Sequence, residues 1–218
     1  MGDPVAVVFD LDGVLIESEH VWDAAREALV RERGGTWDER ATTDMMGMSS
    51  KEWSSYMHDR LSVPMTPAEI NDDVVRRVAA AYEEHLPLLP HAVETVRELG
   101  GRWRLGVASS SNRPIIELVL DRSELTECFA AVVSSEEVAN GKPAPDVYLA
   151  AAKQLDVEPA ECVAVEDSSN GIKAAIAAGM RTIAVPNRQF RPDDDVLATA
   201  TAVVPSLDEA TPDLVAGL

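Results

Sequence analysis

Four short stretches of the chain carry side chains that could act together. Asp10 and Asp12 stand two positions apart, with Gly13 after them, directly beyond the apolar run Val5-Ala6-Val7-Val8-Phe9. Two carboxylates so spaced at a strand end can share a cation, and the glycine lets the chain turn sharply past them. Ser109-Ser110-Ser111-Asn112 lead into a helix start near Pro114, where free N–H groups can receive a phosphate oxygen. Lys142, in Gly141-Lys142-Pro143, is a lone cation before another helix start, and Glu166-Asp167 make a second carboxylate pair. Taken alone, each has an ordinary reading: strand-end acids cap helices, serine runs make turns, and single lysines face water. Their joint occurrence in an otherwise acidic chain describes a site for a hard divalent cation and a phosphoryl group.

Such a site needs elements that bring the four stretches to one rim. Val5–Phe9, Leu105–Ala108, Ala131–Val133 and Cys162–Val165 read as strands buried on both faces, with weaker candidates at Thr182–Val185 and Ala202–Val204. Helical patterns lie between them at His91–Leu99, Pro114–Leu120, Pro145–Leu155 and Gly171–Ala178. This alternation predicts a parallel sheet with helices on both faces, where ligands gather at the carboxyl ends of the strands. From Ser18 to about Leu88 the alternation stops and helical periods take over. Val21, Ala25, Ala28 and Leu29 make one apolar face, and Ile70, Val74, Val75, Val78 and Tyr82 another. Residues 18–87 therefore read as an all-helical insertion, and residues 1–17 with 88–218 as the α/β core. Pro87 and Pro90 punctuate the return.

The 218 residues hold 46% hydrophobic and 26% charged side chains, a globular composition. Lysine and arginine number 19 against 38 aspartate and glutamate, a net charge of −19. That field repels phosphate backbones and anionic lipids, so neither nucleic acid nor membrane is expected as a partner. An anionic small substrate would need a metal or local cations to offset it. Cys128 and Cys162 show no ligand spacing and read as reduced, buried thiols. The four dispersed histidines read as surface or packing residues, with His20 the one considered for a substrate contact. The opening Met1-Gly2-Asp3-Pro4 lacks the basic stretch of a secretory signal, so a cytoplasmic location is expected.

Phe9-Asp10-Leu11-Asp12-Gly13-Val14-Leu15 resembles the first motif of the haloacid dehalogenase superfamily. Val107-Ala108-Ser109-Ser110-Ser111-Asn112, Lys142-Pro143-Ala144-Pro145-Asp146 and Val165-Glu166-Asp167-Ser168-Ser169-Asn170-Gly171 resemble the other three, in order. The resemblance covers essentially the whole chain and is nearest to the β-phosphoglucomutase-like branch. It implies a Rossmann-like α/β sheet with a small helical cap domain inserted after the first strand. It also implies that Asp10 is a nucleophile forming an aspartyl-phosphate, and Asp12 a general acid and then base. Ser109 and Lys142 would hold phosphoryl oxygens, and Ser110, Asn112 and the cap-loop Gly47 would lie beside the substrate. Asp10, Asp167 and the backbone carbonyl of Asp12 would hold Mg²⁺, with Glu166 as a further ligand. The acid at position 12 suits a leaving alkoxide, which needs a proton, and so an organic phosphate ester.

Two outcomes stay open on this resemblance: a phosphatase acting on a small phosphorylated metabolite, and a sugar-phosphate mutase. Mutases of this branch carry an arginine after the cap-loop Gly-x-Ser and a lysine after the second-motif Ser-x-Ser, to hold a second phosphate. Here Ser50 and Asn112 occupy those places, with Lys51 and Arg113 one residue further on. The departures favour a phosphatase. Trp22, Met45, Met46, Met48, Trp53, Tyr56 and Met57 read as packing of the cap, with Met48 or Trp53 the candidates to touch the leaving group. A non-catalytic phosphometabolite-binding module is disfavoured because all four motifs are intact. Oligomeric state is not legible.

Overall fold

The computed structural model describes residues 3–45, 48–187 and 190–218. Among these, six strands form one parallel sheet: β1 (Ala6–Phe9), β2 (Arg104–Ser109), β3 (Phe129–Ser134), β4 (Cys162–Glu166), β5 (Arg181–Ala184) and β6 (Ala202–Val203). Their order is β3-β2-β1-β4-β5-β6. The chain winds outward from β1 in one direction through β2 and β3, and in the other through β4 to β6. The order therefore reverses beside β1, and the crevice between β1 and β4 is where such sheets bind ligands.

Helices α1 (Glu19–Glu32), α2 (Ala41–Met45), α3 (Ser50–Asp59) and α4 (Pro67–Glu84) follow β1, and α5 (Ala92–Gly100) leads into β2. Then come α6 (Arg113–Arg122), α7 (Asp146–Leu155), α8 (Ser169–Ala177), α9 (Asp194–Leu197) and α10 (Pro212–Gly217). Both faces of β1 are covered, which is why its sequence is apolar without alternation. Val7 and Phe9 pack with Leu105, Val107, Val163 and Val165 in the cluster that includes α5 and α6. Ala6 and Val8 pack with Ala131, Val133 and Ala164 in the cluster that includes α7 and α8. Burying one such valine or leucine contributes about 1.5–3 kcal/mol, so the central strands anchor the rim they end on.

The inserted helices start at defined points. Ser49 and Glu52 form a capping box at the head of α3, and Thr66 and Glu69 form another at α4, followed by Pro67. The buried face of α1 is Trp22, Ala25, Arg26, Leu29 and Val30, rotated from the predicted one: Val21 and Ala28 are only half-buried. On α4 the buried residues are Ile70, Asp73, Val74, Val78 and Tyr82, with Val75 half-buried. In both helices a charged residue takes part in the buried stripe. The segments that leave and rejoin the sheet run side by side: Glu17 N donates to Pro87 O at 2.8 Å and Leu89 N to Leu15 O at 2.9 Å. No helix is long and apolar enough to cross a membrane among the described residues.

Candidate active site

Asp10 follows the last residue of β1, and its N–H donates to Val165 O at 2.9 Å, which carries the β1–β4 pairing one residue past the strand. Gly13 then turns the chain with φ of +79°, and a Cβ there would come within 1.9 Å of Asp167 Oδ2. Both the conformation and the close approach demand glycine. Asp10, Asp12, Ser110, Lys142, Asp167 and Asn170 line a cavity of about 400 Å³ at this end of the sheet.

Lys142 is buried at the centre. Its Nζ lies 2.9 Å from Asp10 Oδ1 and 2.6 Å from Glu166 Oε1, and 5.0 Å over the ring of Tyr148. Burial alone would lower the ammonium's pKa, but the charges of Asp10 and Glu166 outweigh it and hold the group above its ordinary value. Glu166 is fully buried, and both its oxygens are engaged. Oε1 also accepts from Tyr148 Oη at 2.7 Å, while Oε2 accepts from Asp167 N at 3.0 Å, Ser168 N at 3.2 Å and Ser168 Oγ at 3.1 Å. Gly171 makes room for this carboxylate, since a Cβ there would meet it at 1.8 Å.

Asp12 Oδ2 accepts from Ser109 Oγ at 3.2 Å and Ser111 Oγ at 2.8 Å. Ser109 Oγ in turn accepts from Ser111 N at 2.9 Å, so the serine loop after β2 holds Asp12 by one oxygen. The other, Oδ1, is buried without a hydrogen-bond partner. Burial pushes the Asp10 carboxyl up to about 7 against the pull of Lys142, and pushes Asp167 well above the usual carboxylate range. Asp10, Glu166 and Asp167 each offer an oxygen within 4.8 Å of the others. Three buried carboxylates around one ammonium are a donor set that could hold a hard cation, whose charge would favour their ionised forms.

The structure thus brings Asp10, Asp12, Lys142, Ser109, Ser110, Glu166 and Asp167 together; Gly47 lies outside the described residues, as does Met46. Asn112 stands apart. Its Nδ2 donates to Glu136 Oε1 at 2.7 Å and to Asn71 Oδ1 of α4 at 3.0 Å, because the Glu136 carboxylate draws it toward the seam with the inserted helices. Ser50 Oγ of α3 donates to the same Glu136 oxygen at 2.6 Å. Arg113 forks onto Glu137 with two contacts of 2.6 Å, and Lys51 is exposed. His20 is a surface residue 2.5 Å from Glu17. Met48 and Trp53 line a smaller recess beside Asp12, which also holds Arg26. Glu136, Tyr148, Glu19 and Arg26 were not singled out from sequence. Arg26 had one legible signal, its place between Trp22 and Leu29 on the apolar side of α1.

Residues 5–179 match the haloacid dehalogenase-like hydrolase family. Hexitol phosphatase B of Escherichia coli O157:H7 is 36% identical over 215 residues, spanning 95% of this chain and 94% of its own. Fructose-1-phosphate phosphatase YqaB of Escherichia coli K12 is 30% identical, spanning 82% and 95%. The crystal structure of CbbY from Rhodobacter sphaeroides in complex with phosphate superposes with a TM-score of 0.87 at 28% identity, over 98% of this chain and 99% of that one. With the family match over most of its length and a 36% identical relative over 95% of it, the chain belongs to the haloacid dehalogenase-like hydrolase family.

Proposed function

We propose that the protein is a Mg²⁺-dependent phosphatase that hydrolyses a small sugar or polyol monophosphate through an aspartyl-phosphate on Asp10, with residues 18–87 as a cap over the core. The observation that carries this is the Asp10 carboxylate held against Lys142 in a buried crevice, with Asp12 beside it. An Asp10 oxygen bonds to phosphorus in line as the ester's P–O bond breaks, and Asp12 gives its proton to the departing alkoxide. Asp12 then takes a proton from the water that cleaves the aspartyl-phosphate. Lys142 offsets the repulsion between Asp10 and the phosphate dianion. Glu166, with both oxygens engaged, fixes the ammonium and the turn that presents Asp167. When bound, Mg²⁺ would neutralise phosphoryl charge, with Asp10, Asp167 and the Asp12 carbonyl as its ligands and Glu166, expected from the sequence as a further ligand, beside them with both oxygens already engaged.

The seam supports hydrolysis over isomerisation. Where mutases of this branch hold a second phosphate with two cations, Ser50 and Asn112 here both donate to the Glu136 carboxylate. A second phosphate at that place would meet an acid. The test is phosphate release from a panel of sugar and polyol monophosphates, with Mg²⁺ and with EDTA. Release that Mg²⁺ sustains and EDTA stops is expected. Full activity after chelation, or conversion of β-glucose 1-phosphate to glucose 6-phosphate without phosphate release when glucose 1,6-bisphosphate is added, would overturn the reading.

A further inference from the structure

A recess of about 80 Å³ opens beside the catalytic cleft, sharing Asp12, Ser18, Glu19 and Ser110 with it and adding Arg26, Trp22 and Trp53. The Arg26 guanidinium packs 5.3 Å from the ring centre of Trp22 and 5.2 Å from that of Trp53, and the residue is only 6% exposed. Its Nη1 lies 3.9 Å from Glu19 Oε1 and 3.6 Å from Asp23 Oδ1, beyond hydrogen-bond reach. Nε, Nη1 and both of those acid oxygens are buried without a hydrogen-bond partner. Buried polar groups in native folds are almost always paired, and those left open mark a place that something else completes.

A hydroxyl group fits that place. It donates and accepts at once, so it can accept from the guanidinium and donate to the carboxylate. An oxygen about 2.8 Å from each partner forms a triangle on the 3.9 Å base between Nη1 and Glu19 Oε1. A second anion does not fit, because Glu19 and Asp23 already outnumber the one guanidinium. Asp12 belongs to both cavities, so the alcohol it protonates extends toward Arg26. We propose that Arg26 and Glu19 select a neutral, polyhydroxylated leaving group by hydrogen-bonding its distal hydroxyls. This assignment rests on the phosphatase reading for the orientation of the substrate, with its phosphate at Asp10.

Binding to the Asp10→Asn protein tests it without turnover. Calorimetry with Mg²⁺ would compare glucitol 6-phosphate, inorganic phosphate and 6-phosphogluconate. Glucitol 6-phosphate is expected to bind at least about tenfold tighter than inorganic phosphate, the worth of a hydrogen bond to a charged group. Adding Arg26→Met should bring that ratio close to one, and adding Glu19→Gln should lower it independently, which decides the matter if the Arg26 variant does not fold. An unchanged ratio in both variants, or 6-phosphogluconate binding more tightly than glucitol 6-phosphate, would overturn the proposal. If the wild-type protein released no phosphate from any ester while the ratio behaved as expected, the hydrolytic reading would fall and the hydroxyl-binding pair would stand.

Discussion

The two ends of the cleft are built on opposite terms. On the sheet side the groups that hold Lys142 are already engaged: Glu166 spreads five contacts over its two oxygens, and the ammonium bridges it to Asp10, so that of the carboxylates there Asp12 keeps one oxygen open. On the helical side Arg26 is as deeply buried, yet its nearest acid oxygens lie at 3.6 and 3.9 Å, ion-paired with it but without a hydrogen bond. Preorganised charge is what phosphoryl transfer needs, because no free energy is then spent on reorganisation during the reaction. A recognition surface gains from the reverse arrangement, since donors that are already satisfied discriminate little between ligands. On the proposed reading, the reacting charges are set in the fold, while selectivity waits for the ligand.

Three measurements would break or sharpen this contrast. Asp10→Asn should have the largest effect, lowering kcat by roughly 10³-fold or more while leaving the melting temperature near or above that of the wild type, because a buried carboxylate becomes neutral. More than about a hundredth of the wild-type rate in that variant would remove Asp10 from the covalent role. Glu166→Gln should rank second. It puts an amide where five donors converge and leaves Lys142 with one partner, so a loss of about 3 kcal/mol in chemical denaturation is expected. A Glu166→Gln protein as stable as the wild type would show that the sheet-side network is not preorganised.

The smallest effect lies on the helical side and appears as a slope. Burial pushes Glu19 up to about 7 from its ordinary 4.5, against the opposing pull of Arg26. A carboxyl raised in this way binds its proton more tightly folded than unfolded, so its contribution is full below about pH 4.5 and is lost as pH rises through 7. Glu19→Gln lacks that loss. In EDTA, thermal melts should therefore show the variant gaining on the wild type between pH 5 and pH 8, by a few degrees at most. A difference in melting temperature that stays flat across this range would place Glu19 in contact with water and weaken the contrast.

The sheet and the residues at its strand ends were legible for the same reason. Strands covered on both faces are continuously apolar, and a parallel sheet presents its chemistry immediately past their ends, so Asp10, Ser109 and Asp167 could be placed without coordinates. The helical side resisted. Periodicity assigns charged residues to solvent, which turned the predicted face of α1 toward Val21 and Ala28 and hid Arg26 among the tryptophans that shield it. Glu136 was invisible for another reason: its partners Ser50 and Asn112 are 86 and 24 positions away, and only tertiary packing joins them. Tyr148 reads as one more apolar position on α7 until Glu166 is seen beneath it.

The paired segments that leave and rejoin the sheet carry a consequence for how much the insertion between them can vary. Because Leu15 and Leu89 are hydrogen-bonded to each other, the sheet meets residues 18–87 as a loop whose ends already touch. Closure entropy grows only with the logarithm of loop length, about 0.6 kcal/mol for each doubling, so a module of quite different size could be accommodated at this doorway at little cost to the core. The entropy of closure alone would not bar an insertion of another size at this position. A helical segment of another length could then stand in for residues 18–87 while Asp10, Asp12 and Lys142 stay where the sheet put them.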